Sequence, residues 1–108
     1  THGGRQVDGS ISAVEALPAV ADAVGDDAPV LFDSGIRRGS DAFKALGLGA
    51  DAVMIGRPFA YGLAMDGRDG VEWVLENTIS ELDLTMGLAG YDDVTDVGRE
   101  ALVHEAEL

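Results

Sequence analysis

The sequence predicts an α/β chain, specifically the C-terminal portion of a (β/α)8 barrel that holds its last two strands and their helices. Three observations predict it. Two short apolar runs, Pro29–Phe32 and Ala52–Ile55, flank one helical pattern, and a strand-helix-strand unit demands a parallel sheet. Both runs are apolar without alternation, the pattern of strands covered on both faces. The 108 residues supply only two such strands, while a closed barrel needs eight. Residues 1–108 therefore read as one segment of a larger barrel domain, an incomplete barrel by themselves.

Each element has a local reason. The opening run THGGRQVDG is glycine-rich and polar, a loop. Ser12 and Glu15 form an S-x-x-E capping box ahead of Ala16, Leu17, Val20 and Val24. Pro18 predicts a kink or a delayed start there, and Gly25 an end. After the first strand, Asp33–Gly39 is a loop. Ser40 is the expected cap of a helix whose stripe is Ala42, Phe43, Leu46 and Leu48, closed by Gly47 and Gly49. After the second strand, Gly56-Arg57-Pro58 turns into a short helix over 58–64, with Pro58 at a favoured first helical position. Asp69 opens the longest helix, through Val71, Val74, Leu75, Thr78, Ile79, Leu82 and Met86, stopped by Gly87 and Gly90. The tail from Tyr91 supports one short helix through Val94, Val97, Leu102 and Val103.

Composition excludes several functions. Twenty acidic residues face seven basic ones, a formal charge of -13, and Lys44 is the sole lysine. Nucleic-acid binding needs a basic patch that this chain lacks. No stretch of about 18 apolar residues exists, so no membrane span is expected, and nothing at the start resembles a signal peptide. With no cysteine, disulfides and thiolate chemistry are excluded. The acid excess with scarce lysine predicts a halophilic, cytoplasmic protein whose self-repulsion is screened by salt; an ordinary acidic protein is the alternative.

The few cations fall at loops. His2 stands three residues before Arg5 across two glycines. A guanidinium fork can hold a carboxylate by two hydrogen bonds, and an imidazole beside it can take a proton from the adjoining carbon or hydroxyl. Alone, H-G-G-R is more often a polar loop. Asp33-Ser34-Gly35-Ile36-Arg37 lies between a strand and a helix start, with glycine for a tight turn, exposed N–H groups for an anion and Arg37 for charge. Asp33 can accept hydrogen bonds from sugar-like hydroxyls. On its own, that segment fits a surface loop with a solvated Arg pair equally well. Gly56 and Arg57 follow the second strand. In barrels, the loops after strands seven and eight commonly form a phosphate site with a short extra helix. Two successive strand ends, each with Gly and Arg, point to one anion more strongly than either alone.

With these segments in order, the sequence resembles the FMN-dependent α-hydroxy acid oxidase/dehydrogenase family of TIM barrels, which includes glycolate oxidase, lactate oxidase and lactate 2-monooxygenase. The matching runs are HGGRQVDG, VLFDSGIRRGSDAFKALGLGADAVMIGRP and, more loosely, YGLAMDGRDGVEWVLENTISELDLTMGLAG. The serine of DSGIR and residues 60–67 look closest to lactate 2-monooxygenase. The resemblance implies His2 as the active-site base and Arg5 as the ligand of the substrate carboxylate. It implies Asp33, Ser34, Gly35, Ile36 and Arg37 as FMN contacts, with Gly56 and Arg57 on the phosphate. The implied reaction oxidises a small 2-hydroxy acid to the 2-oxo acid, with oxygen or another acceptor reoxidising the flavin. A homo-oligomer is compatible with it. Thr1 stands where the family usually has Asn, which touches a local hydrogen bond and not the base. The family's tyrosines, its flavin-side lysine and the aspartate that orients the histidine would lie upstream. A truncated, non-catalytic product and another FMN- or phosphate-binding barrel are the alternatives. His104 reads as a solvated tail histidine, Trp73 as helix packing, and Met54, Met65 and Met86 as core filler.

Overall fold

The structure is a computed structural model and describes residues 6–107. His2 and Arg5 lie outside the described residues.

Helix α1 spans Ala13–Val24. Its capping box forms as the sequence predicts: the Glu15 N–H donates to the Ser12 hydroxyl, and the Glu15 carboxylate accepts from the Ser12 N–H at 3.2 Å. The helix starts on time and runs on through Pro18, with Gly25 at its end. The carbonyl deprived of its partner by Pro18 belongs to Val14, on the exposed side, where water can serve it.

Strand β1, Leu31–Phe32, pairs in parallel with β2, Ala52–Val53, in the register Leu31 to Ala52 and Phe32 to Val53. Between them runs α2, Gly39–Gly47. The pairing is extended at both ends: the Asp51 N–H donates to the Val30 carbonyl and the Met54 N–H to the Phe32 carbonyl, both at 2.8 Å. The Asp51 carboxylate also accepts from the Val30 N–H at 2.6 Å.

Strands apolar on both faces need neighbours that two strands alone cannot supply, and this chain covers one face of them. Phe32 is buried and Val53 half-buried, packed with Leu17, Ile36, Ala45 and Ala50 in the larger core cluster. Their register neighbours Leu31 and Ala52 are exposed, Leu31 by 58%. One sheet face is covered by helices and the other is bare, because a two-stranded sheet has no opposite wall.

Two helix predictions also shift. Ser40 is not the cap of α2: Arg38 holds that position, and the Asp41 carboxylate reaches back to the N–H groups of Arg37 and Arg38, at 3.0 and 3.1 Å. An aspartate in the first helical turn also suits the positive end of the helix. The short and long helices expected after β2 are continuous as α3, Arg57–Ala89, but Asp66 and Gly67 leave helical geometry inside it. Gly67, with φ +54°, makes the break that the sequence placed before Asp69. The two segments cross closely at Gly62 and Gly70, both buried. Gly90, at φ +86°, ends α3 alone, with Gly87 still helical.

The tail forms three 3₁₀ turns, Val94–Asp96, Arg99–Ala101 and Glu105–Glu107, rather than one helix. Val97 nonetheless reaches a second core cluster with Phe43 and Met86, flanked by Leu82, Tyr91 and Leu102. Phe43 and Tyr91 meet edge to face, centroids 5.9 Å apart. Met86 is core as expected. Met54, Met65 and Trp73 are not, being exposed by 47%, 85% and 65%. No helix among the described residues is long and apolar enough to cross a membrane.

Candidate functional site

The two strand-to-helix loops predicted to bind an anion meet. Asp33, Ser34, Gly35, Ile36 and Arg37 from the end of β1 line a cavity of about 440 Å³ with Met54, Ile55, Gly56, Arg57 and Pro58 from the end of β2. All seven candidate residues of these loops therefore share one cleft. Parallel pairing is the cause: it puts the C-terminal ends of both strands, and so both loops, at the same edge of the sheet.

Each contributor has a backbone reason to be there. Phe32 and Ile36 are buried in the core cluster, so the chain between them must arch outward. It does so through Ser34 at φ +89° and Gly35 at φ +90°. Glycine tolerates that conformation freely. Serine does not, and a residue held there costs on the order of 1 kcal/mol or more, which accumulates at functional turns. Ile36 has a double position: it rims the cleft, yet only 5% of it is exposed. Beyond β2, a Cβ built on Gly56 would meet no atom within 4 Å, so the backbone there is open to close approach. Pro58 fits the first turn of α3, whose unpaired N–H groups face the loop.

The electrostatics favour an anion. Arg37 and Arg57 are both exposed at the cleft, and among the described residues neither guanidinium meets a carboxylate. In a chain with twenty acids, two neighbouring arginines that meet no carboxylate among the described residues are unlike the surroundings. The start of α3 adds the positive end of a helix beside Arg57. A second hollow of about 390 Å³ adjoins, lined by Arg37, Arg57, Pro58 and Tyr61. Sequence reasoning missed Tyr61, together with Met54, Ile55 and Pro58 as cleft-lining residues. Tyr61 lies one helical turn after Arg57, a spacing that puts both on one side of α3 once the helix start is known.

No group of three or more His, Cys, Asp or Glu residues among those described could hold a metal ion. His104 is exposed, and its Nδ1 accepts from the Ala106 N–H at 3.1 Å within its own turn, as a tail histidine should.

Comparison with known proteins gives the context. The family profile for FMN-dependent dehydrogenase matches residues 1–104. The chain is 52% identical over 101 residues to an FMN-dependent alpha-hydroxy acid dehydrogenase of Penicillium citrinum, covering 94% of this chain and 25% of the fungal protein. It is 56% identical over 89 residues to an L-lactate oxidase of Lysinibacillus sphaericus, covering 82% of this chain and 23% of that enzyme. Among solved structures, a mandelate oxidase variant with a monooxide FMN adduct superposes with a TM-score of 0.85 at 46% identity, over 91% of this chain and 31% of that one. A lactate oxidase of Pediococcus acidilactici gives 0.85 at 49% identity, over 91% and 27%. The chain thus spans about a quarter of the length of the curated relatives it matches. On the profile match across nearly its whole length, this chain belongs to the FMN-dependent dehydrogenase family.

Proposed function

We propose that residues 1–108 are the C-terminal barrel segment of an FMN-dependent oxidoreductase that converts a small, lactate- or glycolate-like 2-hydroxy acid to its 2-oxo acid. The observation that carries this reading is the cleft itself. Arg37 and Arg57, from consecutive strand ends, face one cavity with an open glycine and an outward-turned Ser34-Gly35 backbone. That donor set suits a dianionic phosphate monoester such as the one at the end of FMN.

In this reading Gly56 and Arg57 hold the phosphate with Arg37, while Asp33, Ser34, Gly35 and Ile36 contact the rest of the cofactor. Bound FMN supplies the two-electron acceptor. Arg5 grips the substrate carboxylate through its fork, and His2 takes the substrate proton, from the carbon or from the hydroxyl. Oxygen or another acceptor completes the cycle. The two strands would be the last of a TIM barrel, and the bare face of Leu31 and Ala52 would look into its interior. The acid excess suits a cytoplasm of high ionic strength.

The test uses the full-length protein that carries this segment. With FMN and L-lactate or glycolate in the absence of oxygen, the yellow flavin absorbance should fade. Retained colour with both acids contradicts the assignment.

A second reading concerns the segment by itself. The bare sheet face and the exposed Leu31 and Met54 favour a piece that neither cradles FMN tightly nor turns over when isolated. A yellow, active preparation of residues 1–108 would overturn that reading.

A further inference from the structure

We propose that Glu81, which does not line the cleft, is a positioning residue that holds Arg37 at the distance from Arg57 needed to grip the flavin phosphate. The inference rests on the cradle reading above and adds a residue to it.

The observation is a carboxylate far from the site in sequence. Glu81 lies on the second segment of α3, and its Oε2 accepts from the N–H of Gly39 at 2.9 Å, 42 residues away and partly buried. Gly39 is the first residue of α2 and stands two residues after Arg37. The Asp41 carboxylate takes the two preceding amides, those of Arg37 and Arg38. Three consecutive N–H groups at the exit of the cleft loop are thus held by two carboxylates. Asp41 moves with α2 and fixes only the loop's local shape. Glu81 adds a hydrogen bond from a different element, α3, at the exit of that loop.

The contact is too close to be incidental. A Cβ built on Gly39 would stand 2.6 Å from the Cβ of Glu81 and would collide with the Leu82 backbone N. Only glycine lets α3 approach here, and the approach places the Glu81 carboxylate on the amide. The same α3 begins at Arg57 in the cleft. One helix therefore sets both cations. Its first segment carries Arg57 on the first turn, and its second segment, through Glu81, anchors the loop that carries Arg37. The break at Asp66 and Gly67, with the crossing of Gly62 over Gly70, folds the helix so that both ends of this reach can be met.

The consequence is specific to the phosphate. Losing the Glu81 acceptor frees the loop exit and disturbs Arg37, so affinity for FMN falls while affinity for riboflavin, which lacks the phosphate, does not. A residue that served only general stability would weaken both alike.

The experiment measures FMN and riboflavin dissociation constants by flavin fluorescence for the full-length protein and its Glu81→Ala and Glu81→Gln variants. Glu81→Ala should lower the FMN-to-riboflavin preference about tenfold, the scale of one hydrogen bond to a charged group. Glu81→Gln keeps an acceptor oxygen for Gly39 and should retain the preference. An unchanged preference in Glu81→Ala, or a loss in Glu81→Gln as large as in Glu81→Ala, overturns the proposal. Should the alanine variant not fold, Glu81→Asp, whose shorter side chain withdraws the acceptor from the Gly39 N–H, takes its place: a lowered preference supports the role and an unchanged one overturns it. A parent protein with no preference for FMN over riboflavin defeats the cradle itself. A parental preference that survives Glu81→Ala defeats only the part given to Glu81.

Discussion

Arg99 and Asp22, 77 residues apart, meet through two hydrogen bonds, Nη2 to Oδ1 at 2.6 Å and Nη1 to Oδ2 at 3.3 Å. Nη2 also donates to the Pro18 carbonyl at 3.1 Å. The tail is thereby fastened to α1, which follows His2 and Arg5 in the sequence. Both side chains are half exposed or more, so the pair is screened by salt and contributes little to global stability. Its effect should be local. Arg99→Ala is expected to speed amide exchange over residues 94–102 without changing FMN affinity. Equal exchange in parent and variant would show the fastening to be idle.

The same pair has a pH signature. The hydrogen bonds from Arg99, with its charge, hold the Asp22 carboxyl below its ordinary 3.8, burial opposing only in part. A carboxyl depressed in the folded state contributes stability above its unfolded value, and that contribution fades as pH falls through the folded value. Tail protection should therefore be constant from neutrality down to about the ordinary aspartate value and decline only below it. Exchange measured from pH 6 to 3 checks this, and a loss centred near pH 6 would contradict it.

Arg57→Ala and Arg37→Ala should each weaken FMN binding by about ten- to a hundredfold, since hydrogen bonds to charged groups are worth about 1.5–3 kcal/mol. Riboflavin affinity should scarcely move. Lysine at either position should recover part of the loss, because charge is kept and the fork is not. Fluorescence titration of the full-length protein reads both.

Arg5→Lys addresses the substrate instead of the cofactor. A point charge in place of a bidentate fork should raise KM at least about tenfold for a 2-hydroxy acid, with FMN affinity unchanged. Steady-state kinetics with an unaltered KM would remove Arg5 from its assigned place.

A Cβ on Gly62 would stand 2.5 Å from the carbonyl oxygen of Gly70 and 2.9 Å from a Val74 methyl carbon. Gly62→Ala must push two backbone segments apart and should cost about 1–3 kcal/mol, the usual range for overpacking. Thermal unfolding of parent and variant measures it. An unchanged midpoint would mean that the crossing yields more readily than its geometry implies.

What could be read in the sequence divides along a physical line. Features set by neighbours in the chain were legible: the Ser12–Glu15 box, the break before Asp69, and the two strands with their Gly-Arg loops. Parallel pairing then brought Arg37 and Arg57 to one cleft, because a strand-helix-strand unit leaves little alternative. Features set by distant partners were not legible. Ser40 looked like the better cap because its competitor, Asp41, acts from inside the helix on amides before it. Glu81 gave no signal, since its partner is a backbone N–H 42 residues away. The readings of Trp73 as helix packing and Met65 as core filler failed because residue type favours a covered site without saying which part of a protein covers it.

The interruption at Asp66 and Gly67 leaves the turn beside the cleft belonging to a helix of only a few turns, not to one of 33 residues. That shortening costs the anion little. The attraction of a helix end comes from the partial charges on its first unpaired amides, and it fades within one turn. The protein can therefore bend this element wherever packing demands and still present a full-strength positive pole to whatever negative group lies between Arg37 and Arg57.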